Sequence, residues 1–348
     1  MPQSRLRIAQ VAPVIYPTPP IRSGGTERIV HDLTEALVAL GHDVTLIAPA
    51  DSHTSARHIA GPLSLSAQEA MHGAVPPGTP AALEAIQLDL LRRHLDTFDI
   101  VHCHGEFAHA ALLGDRPSIT TVHWRLDEHD RTLFFAHFDT LRVAAISAAQ
   151  AKALPGSNLA GIVHHGIAVN RYRPGAGAGG LAFIGRMTDQ KRPDRAIDVA
   201  RAADMPIRLA GAVDMGNPDY FARHVEPRLS DDVIWIGDID DVAKQDLLGD
   251  AAALLFPIDW PEPFGLVMIE AMACGTPVIA WRHGSVPEIV EDGVTGFVVD
   301  SEEQAIRAVE RIRTLDRARI RRRFEERFTA DRMARDYIAL YRQRIGAV

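Results

Sequence analysis

The sequence predicts an α/β protein built from two doubly wound halves, and three observations carry that expectation. The chain opens strand, glycine loop, helix, strand, which is one βαβ unit. A second series of short apolar runs alternating with helical stretches begins after Gly175-Ala176-Gly177-Ala178-Gly179-Gly180. The length, 348 residues, suits two domains of about 100–200 residues each.

Taken in order, Arg7 to Ala12 reads as a buried strand, because its apolar run is too short for a helix. A Pro- and Gly-rich loop ends at Ser23-Gly24-Gly25-Thr26. From Glu27 to about Leu40 the residues Ile29, Val30, Leu33, Leu37 and Leu40 share one helical face. Gly41 stops that helix, and Asp43 to Ala48 is the next strand. Parallel pairing and a right-handed crossover follow from this unit. Residues 51–80 carry small residues, Pro and Gly with weak periodicity and read as loop with irregular pieces. Further strands are expected at Ile100-Val101, Ser118 to Val122 and Val143 to Ile146. In the second half they fall at Leu181 to Ile184, Ile207 to Ala210, Val233 to Ile236, Ala253 to Phe256, Pro277 to Ala280 and Gly296 to Val299. The flexible glycine segment near 175–180 precedes a strand instead of following one, so it is not a dinucleotide fingerprint. No repeat of fixed short period is visible.

Composition narrows the class. The chain is 47% apolar and 24% charged, an ordinary globular balance. With 37 basic against 45 acidic residues the formal charge is −8, and the basic excess of a nucleic-acid binder is missing. Two cysteines, Cys103 and Cys274, fit a reducing compartment. No apolar run approaches the ~20 residues that span a bilayer, and Pro13, Pro17, Pro19 and Pro20 interrupt anything resembling a signal peptide. The expected location is therefore the cytoplasm. The acidic first half, with Lys152 as its single lysine, disfavours docking on an anionic membrane. Of 16 histidines, 14 lie before residue 166, a clustering that fits a site there as well as scattered surface and core positions.

The most informative stretch runs from Asp259 to Pro277. Glu262 and Glu270 stand eight apart with Pro263-Phe264-Gly265 between them, and Leu266 to Ala273 has the residues of a helix beginning near Phe264 or Gly265. Its first turn offers unpaired backbone N–H groups to hydroxyl or anionic oxygens. Spacing alone fits a ligand laid along that helix edge and, equally, a capped helix with a surface Glu. In a second stretch, Phe183-Ile184-Gly185-Arg186-Met187-Thr188-Asp189-Gln190-Lys191, a strand ends in Gly. Arg and Lys then stand five apart before a helix expected at Asp194 to Ala203. Two such cations suit a diphosphate, the guanidinium by bidentate bonds and the ammonium as a point charge.

These residues resemble retaining glycosyltransferases of family 4, which have the GT-B fold. Glu262 and Glu270 match the family's E-x7-E motif, and the similarity continues through Glu270 to Ala280, Pro287 to Val290 and Asp292 to Phe297. It reaches back to Gly24-Gly25 and covers nearly the whole chain. The resemblance implies two Rossmann-like domains facing across a cleft. The first is an acceptor-side domain at 1–165, completed by a crossover helix at about 330–348 in which Tyr337, Leu340 and Tyr341 pack. The second is a nucleotide-sugar domain at 166–329. It further implies that Glu270 binds the donor ribose, that Glu262 contacts the transferred sugar, and that the amides of Phe264, Gly265 and Leu266 complete the sugar pocket. Arg186 and Lys191, matching Gly-Arg-x4-Lys with Gly185, would stabilise the departing diphosphate, although Arg192 stands where relatives often have Gly.

Gly24 and Gly25 are assigned by the same resemblance to the donor-phosphate and acceptor side, while Glu27 is explained as an acid in a helix's first turn. His123, after the strand ending Thr120-Thr121-Val122, resembles the family histidine close to the transferred sugar. The nearby His102, His104, Glu106 and His109 have no specific metal-ligand spacing, and the family needs no metal or cofactor. His165 occupies the place of a frequent Asn. Ile239, in the strand-to-loop step from Trp235, lies where backbone could read the nucleotide base, and Arg317 to Arg327 reads as a solvated basic helix face. The expected activity is metal-independent, retaining transfer from a UDP-sugar to a small-molecule or saccharide hydroxyl. A GT-B nucleotide-sugar epimerase or a non-catalytic sugar-nucleotide binding protein are the alternatives.

Overall fold

The computed structural model describes residues 4–22, 24–105 and 107–347; Ser23 and Glu106 lie outside the described residues. The chain divides into two compact units, Met1–Ala168 with Ala330–Val348, and Val169–Thr329.

The first unit holds a seven-stranded sheet of β1 (Arg7–Val11), β2 (Asp43–Ala48), β3 (Arg57–Ala60), β4 (Ile100–Cys103), β5 (Ser118–Thr121), β6 (Val143–Ala145) and β7 (Leu159–Ile162). The order is β3-β2-β1-β4-β5-β6-β7, and each pairing is parallel. The second holds β8 (Leu181–Ile184), β9 (Ile207–Ala210), β10 (Val233–Trp235), β11 (Ala253–Phe256), β12 (Val278–Trp281) and β13 (Gly296–Val299). Their order is β10-β9-β8-β11-β12-β13, again parallel. Parallel strands need crossover connections, which are helical here except between β2 and β3, and the covering helices are why the central strands are continuous apolar runs. Ile8, Leu46 and Ile47 in one sheet, and Leu181, Leu254 and Ile279 in the other, are almost fully buried.

The strand order places the crevices. In the second sheet the chain leaves β8 in one direction toward β9 and β10, then returns to β8's other side with β11. The loops after β8 and β11 therefore diverge, opening a crevice at the carboxyl ends of those strands. The first sheet repeats the device between β1 and β4.

Several expectations need correction. Residues 51–80 are not loop throughout: they contain β3, the helix Leu65–His72, capped by the Ser64 side chain on the Ala67 N–H, and the start of the helix Thr79–Arg92. β3 and β7 escaped the apolar pattern because they are edge strands of mostly half-exposed residues. The basic helix Arg317–Arg327 is not simply a solvated face. Arg317 donates to the carbonyls of Gly175, Gly249, Ala251 and Cys274 and to Thr276 Oγ1. Arg321 donates to the carbonyls of Val169, Tyr172 and Ala273, and Arg323 and Arg327 grip Glu291. Guanidinium forks here satisfy chain ends that secondary structure leaves unpaired.

Candidate active site

In the second unit, Gly185 follows β8 and its N–H donates to Ala210 O at 2.9 Å. The chain then runs through Arg186 and Lys191 to the helix Pro193–Ala202. Arg192 ends the loop in a left-handed conformation, φ 54°, and clamps Asp194 with Nε and Nη2, both at 2.9 Å. Where relatives often carry Gly, an Arg is thus held by a carboxylate two residues on. Its second partner, Asp259, lies 3.1 Å away on the loop after β11, and Asp259 N–H also donates to Gln190 O at 2.9 Å. Both loops that flank the crevice are thereby tied together.

Lys191 and Glu262 meet across that tie. The Lys191 ammonium donates to Glu262 Oε2, which also accepts the Trp260 indole N–H at 2.9 Å. The ammonium stands 4.7 Å from the Trp260 ring centroid, a cation–π contact in a largely desolvated setting. Glu262 is buried, and its own carbonyl accepts the Ser285 N–H at 2.9 Å. Gly265 then takes φ +79° and caps the helix Leu266–Ala273 without a side-chain hydrogen bond. That left-handed conformation favours glycine, while a Cβ there would only push aside the end of the Met268 side chain, 2.7 Å away. The first helical amide, that of Leu266, follows directly. The Phe264 ring is buried, and its carbonyl accepts the Ser285 hydroxyl at 2.8 Å.

Of the four charged residues singled out by sequence, Lys191 and Glu262 are the two paired directly with each other among the described residues. Arg186 is 46% exposed and pairs only loosely, at 3.5 Å, with Asp214. Glu270 is buried in place of the surface position that spacing allowed, and its partner is Lys244 at 2.9 and 3.1 Å. The Tyr172 hydroxyl lies 3.4 Å from Glu270 and 3.1 Å from Asp241, and Asp241 pairs with Arg171 at 3.0 Å. Lys244, Tyr172, Arg171 and Asp241 were missed because they belong to no local motif; they come from the helix Asp241–Asp250 and the segment before β8. Ile239 is half-buried just ahead of that helix, whose cap is the Asp240 side chain. Gly211, also missed, has φ +138°, and a Cβ there would fall 1.9 Å from Gly185 O. Its N–H donates to Gly237 O at 2.7 Å, so glycines let the carboxyl ends of β8, β9 and β10 approach closely.

In the first unit, Gly24 has φ 139° and precedes the helix Gly25–Ala39, of which Gly25 is the first residue. A Cβ on Gly24 would lie 2.7 Å from Pro20 Cβ and 3.2 Å from Glu27 Oε2. Glu27 is more than a first-turn acid. It is buried, and burial pushes its carboxyl up to about 7 against the backbone N–H bonds at Glu27 and Tyr16 that favour the anion. Folded Glu27 therefore holds a proton that the unfolded chain has released above the ordinary value of 4.5. This group's stabilisation is complete below that value and is lost as pH rises to about 7. Glu27→Gln should flatten the fall in melting temperature across that window; an unchanged slope would show that another group is responsible.

His123 follows β5, half-buried, with its ring stacked on His165 at 5.0 Å between centroids. Burial lowers its imidazole to about 3, so it is neutral near pH 7. His102, His104, His109 and His165 are buried and held below the usual imidazole range by the same cause. Among the described residues, no group of three His, Cys, Asp or Glu side chains is placed to hold a metal ion. Nor is any described helix long and apolar enough to cross a membrane.

Comparison with known proteins agrees with this fold. Residues 178–329 match the family model described as glycosyl transferases group 1, and residues 23–171 match that of glycosyltransferase family 4. A phosphatidyl-myo-inositol mannosyltransferase of Propionibacterium freudenreichii subsp. shermanii is 29% identical over 344 residues, covering 87% of this chain and 85% of that protein. A D-inositol 3-phosphate glycosyltransferase of Mycobacterium bovis is 32% identical over 215 residues, 55% of this chain but 42% of its own length. Among solved structures, AviGT4, a glycosyltransferase involved in avilamycin A biosynthesis, superposes with TM-score 0.72 at 25% identity over 99% of both chains. A sucrose-phosphate synthase from Thermosynechococcus elongatus gives 0.78 at 21% identity, covering 99% of this chain and 100% of that one, a likeness of fold. The chain belongs to glycosyltransferase family 4 and has the GT-B fold of a sugar-transferring enzyme.

Proposed function

We propose that the protein transfers a sugar from a nucleoside diphosphate sugar to an acceptor hydroxyl with retention of anomeric configuration and without a metal. The observation that carries this reading is the Lys191–Glu262 pair, seated where the loops after β8 and β11 diverge. In this reading Lys191 and Arg186 take the diphosphate. Arg186 is half exposed and loosely paired, so its guanidinium can turn to phosphate at little cost. Glu262 and the amides of Phe264, Gly265 and Leu266 hold the transferred sugar at the helix end that lacks a side-chain cap. Glu270, with Lys244 beside it, takes the ribose hydroxyls; Gly185 and Ile239 line the diphosphate and base. Gly24, Gly25 and His123 act for the first unit, on donor phosphate, acceptor and sugar.

The reaction is electrostatic in character. Charge builds on the leaving diphosphate, and preorganised cations stabilise it more than the ground state. The departing phosphate oxygen accepts the acceptor's proton on the same face of the sugar. UDP is the nucleotide we assign to the donor. A saccharide or other small-molecule hydroxyl is the acceptor we assign, and the cytoplasm is the location. An epimerase would need an acid/base pair of its own at the sugar, and the sequence shows no separate signature for one.

A panel of UDP-, GDP- and ADP-sugars tests the reading by thermal shift, because a ligand of the folded state raises stability by mass action. UDP-sugars should raise the melting temperature. With acceptor present, the product should keep the donor's anomeric configuration by NMR, and transfer should persist in EDTA. An inverted product, or free epimerised nucleotide sugar without acceptor, would overturn it.

A further inference from the structure

Behind His123 the first unit carries a run of buried polar side chains with no obvious need for so many imidazoles. His123 Nε2 lies 3.0 Å from His104 Nδ1, and His104 Nε2 lies 2.7 Å from Gln10 Oε1 on β1. Gln10 Nε2 donates to the Tyr341 hydroxyl at 3.1 Å, and that hydroxyl lies 2.7 Å from His102 Nδ1. His102 Nε2 continues to Thr121 Oγ1 at 2.8 Å, and Thr121 to the Tyr337 hydroxyl at 2.8 Å. Tyr337 and Tyr341 lie on the helix Ala330–Ile345, which belongs to this unit.

For the Gln10 orientation present, the proton inventory of the arm from Gln10 through His104 to His123 has one solution. A carboxamide oxygen only accepts, so His104 must carry its proton on Nε2. Burial keeps His104 and His123 neutral, so His104 Nδ1 is left with a lone pair and can only accept. His123 must then donate from Nε2, which strips its Nδ1 of a proton. The other arm is consistent: Tyr341 accepts from Gln10 and donates to His102 Nδ1, and His102 donates from Nε2 to Thr121. Among the described residues, His123 Nδ1 has no hydrogen-bond partner, and the ring is half-buried, so that nitrogen is available.

We propose that Tyr341, Gln10 and His104 are positioning residues that lock His123 as its Nε2–H tautomer, so that Nδ1 presents a lone pair to a hydroxyl of the bound sugar or acceptor. Gln10 on β1 and His104 after β4 flank the switch point of the first sheet, and His123 follows the next strand. The inference rests on reading His123 as a site residue. What it adds is direction: the imidazole accepts a hydrogen bond and does not offer one. A substrate whose hydroxyl at that place is replaced by an ether or fluorine could not satisfy it.

The test is a long-range 1H–15N spectrum of the full chain labelled with 15N-histidine, the His123 signals being assigned by their loss in His123→Ala. The expected pattern is protonated Nε2 with unprotonated Nδ1; the opposite pattern overturns the proposal. Gln10→Leu should mix the two patterns and lower kcat by about tenfold, one hydrogen bond's worth, with the donor KM held. An unchanged kcat also overturns it. Gln10→Glu still accepts from His104 and should recover the wild-type His123 pattern, which a merely structural role for Gln10 would not require. If Gln10→Leu does not fold, the wild-type and Gln10→Glu spectra decide alone. Normal transfer by His123→Ala would instead sink the reading of His123 as a site residue while leaving the tautomer measured.

Discussion

Replacing Lys191 by alanine should cut turnover by about 10²-fold or more, the usual consequence of losing one preorganised donor aimed at developing charge. The geometry sharpens this expectation. Lys191 is 15% exposed and Glu262 9% at their side chains, so the variant also strands a carboxylate that, among the described residues, keeps the Trp260 N–H alone. Some loss of stability is therefore expected, since an uncompensated buried charge is costly. The two effects separate by measurement. Melting temperature reports the stranded carboxylate, and it should recover in Lys191→Ala/Glu262→Gln. Turnover of Lys191→Ala at saturating donor reports the lost cation, and it should not recover in the double variant, which also alters the Glu262 contact to the sugar. Transfer kinetics unchanged in Lys191→Ala would contradict the assignment.

How far the sequence could be read follows from where each signal resides. Strands such as Asp43–Ala48 and Leu181–Ile184 were legible to the residue because a parallel strand covered on both faces is a bare apolar run. β3 and β7 were not, because an edge strand needs no such run; Arg57 and Ile162 are exposed. Lys191, Glu262 and Glu270 stood in local patterns whose chemistry is readable in one dimension. Their partners did not. Lys244 meets Glu270 from 26 positions away and Tyr172 from 98, distances at which spacing says nothing. The arginines of Arg317–Arg327 show the same limit, since an Arg bound to carbonyls and an Arg in water read alike until the fold brings the carbonyls. Gly211 is a third case, a lone glycine after a strand whose necessity appears only when Gly185 O stands 1.9 Å from its missing Cβ.

The Lys244–Glu270 pair gives the second large effect. Glu270 is 4% exposed at its side chain and Lys244 15%. Glu270→Ala should therefore destabilise the protein by about 3 kcal/mol, the low end for breaking a buried pair from one side. The same variant should also abolish the thermal shift given by the donor nucleotide, if the carboxylate takes the ribose hydroxyls. A fall in melting temperature alone would not distinguish a ligand contact from a fold contact, so the double variant Glu270→Ala/Lys244→Met is the deciding one. It removes both charges and leaves a long apolar side chain at position 244, and stability should return toward wild type. Nucleotide-induced stabilisation should stay lost, because the acceptor for the hydroxyls is still missing. Recovery of both would make the pair a structural bridge and move the ribose site elsewhere. Lys244→Met alone completes the cycle: it leaves Glu270 with the Tyr172 hydroxyl as a neutral partner, so donor affinity should change less than in Glu270→Ala. The coupling between the two substitutions, read in melting temperature and in nucleotide affinity separately, should be large in the first and small in the second.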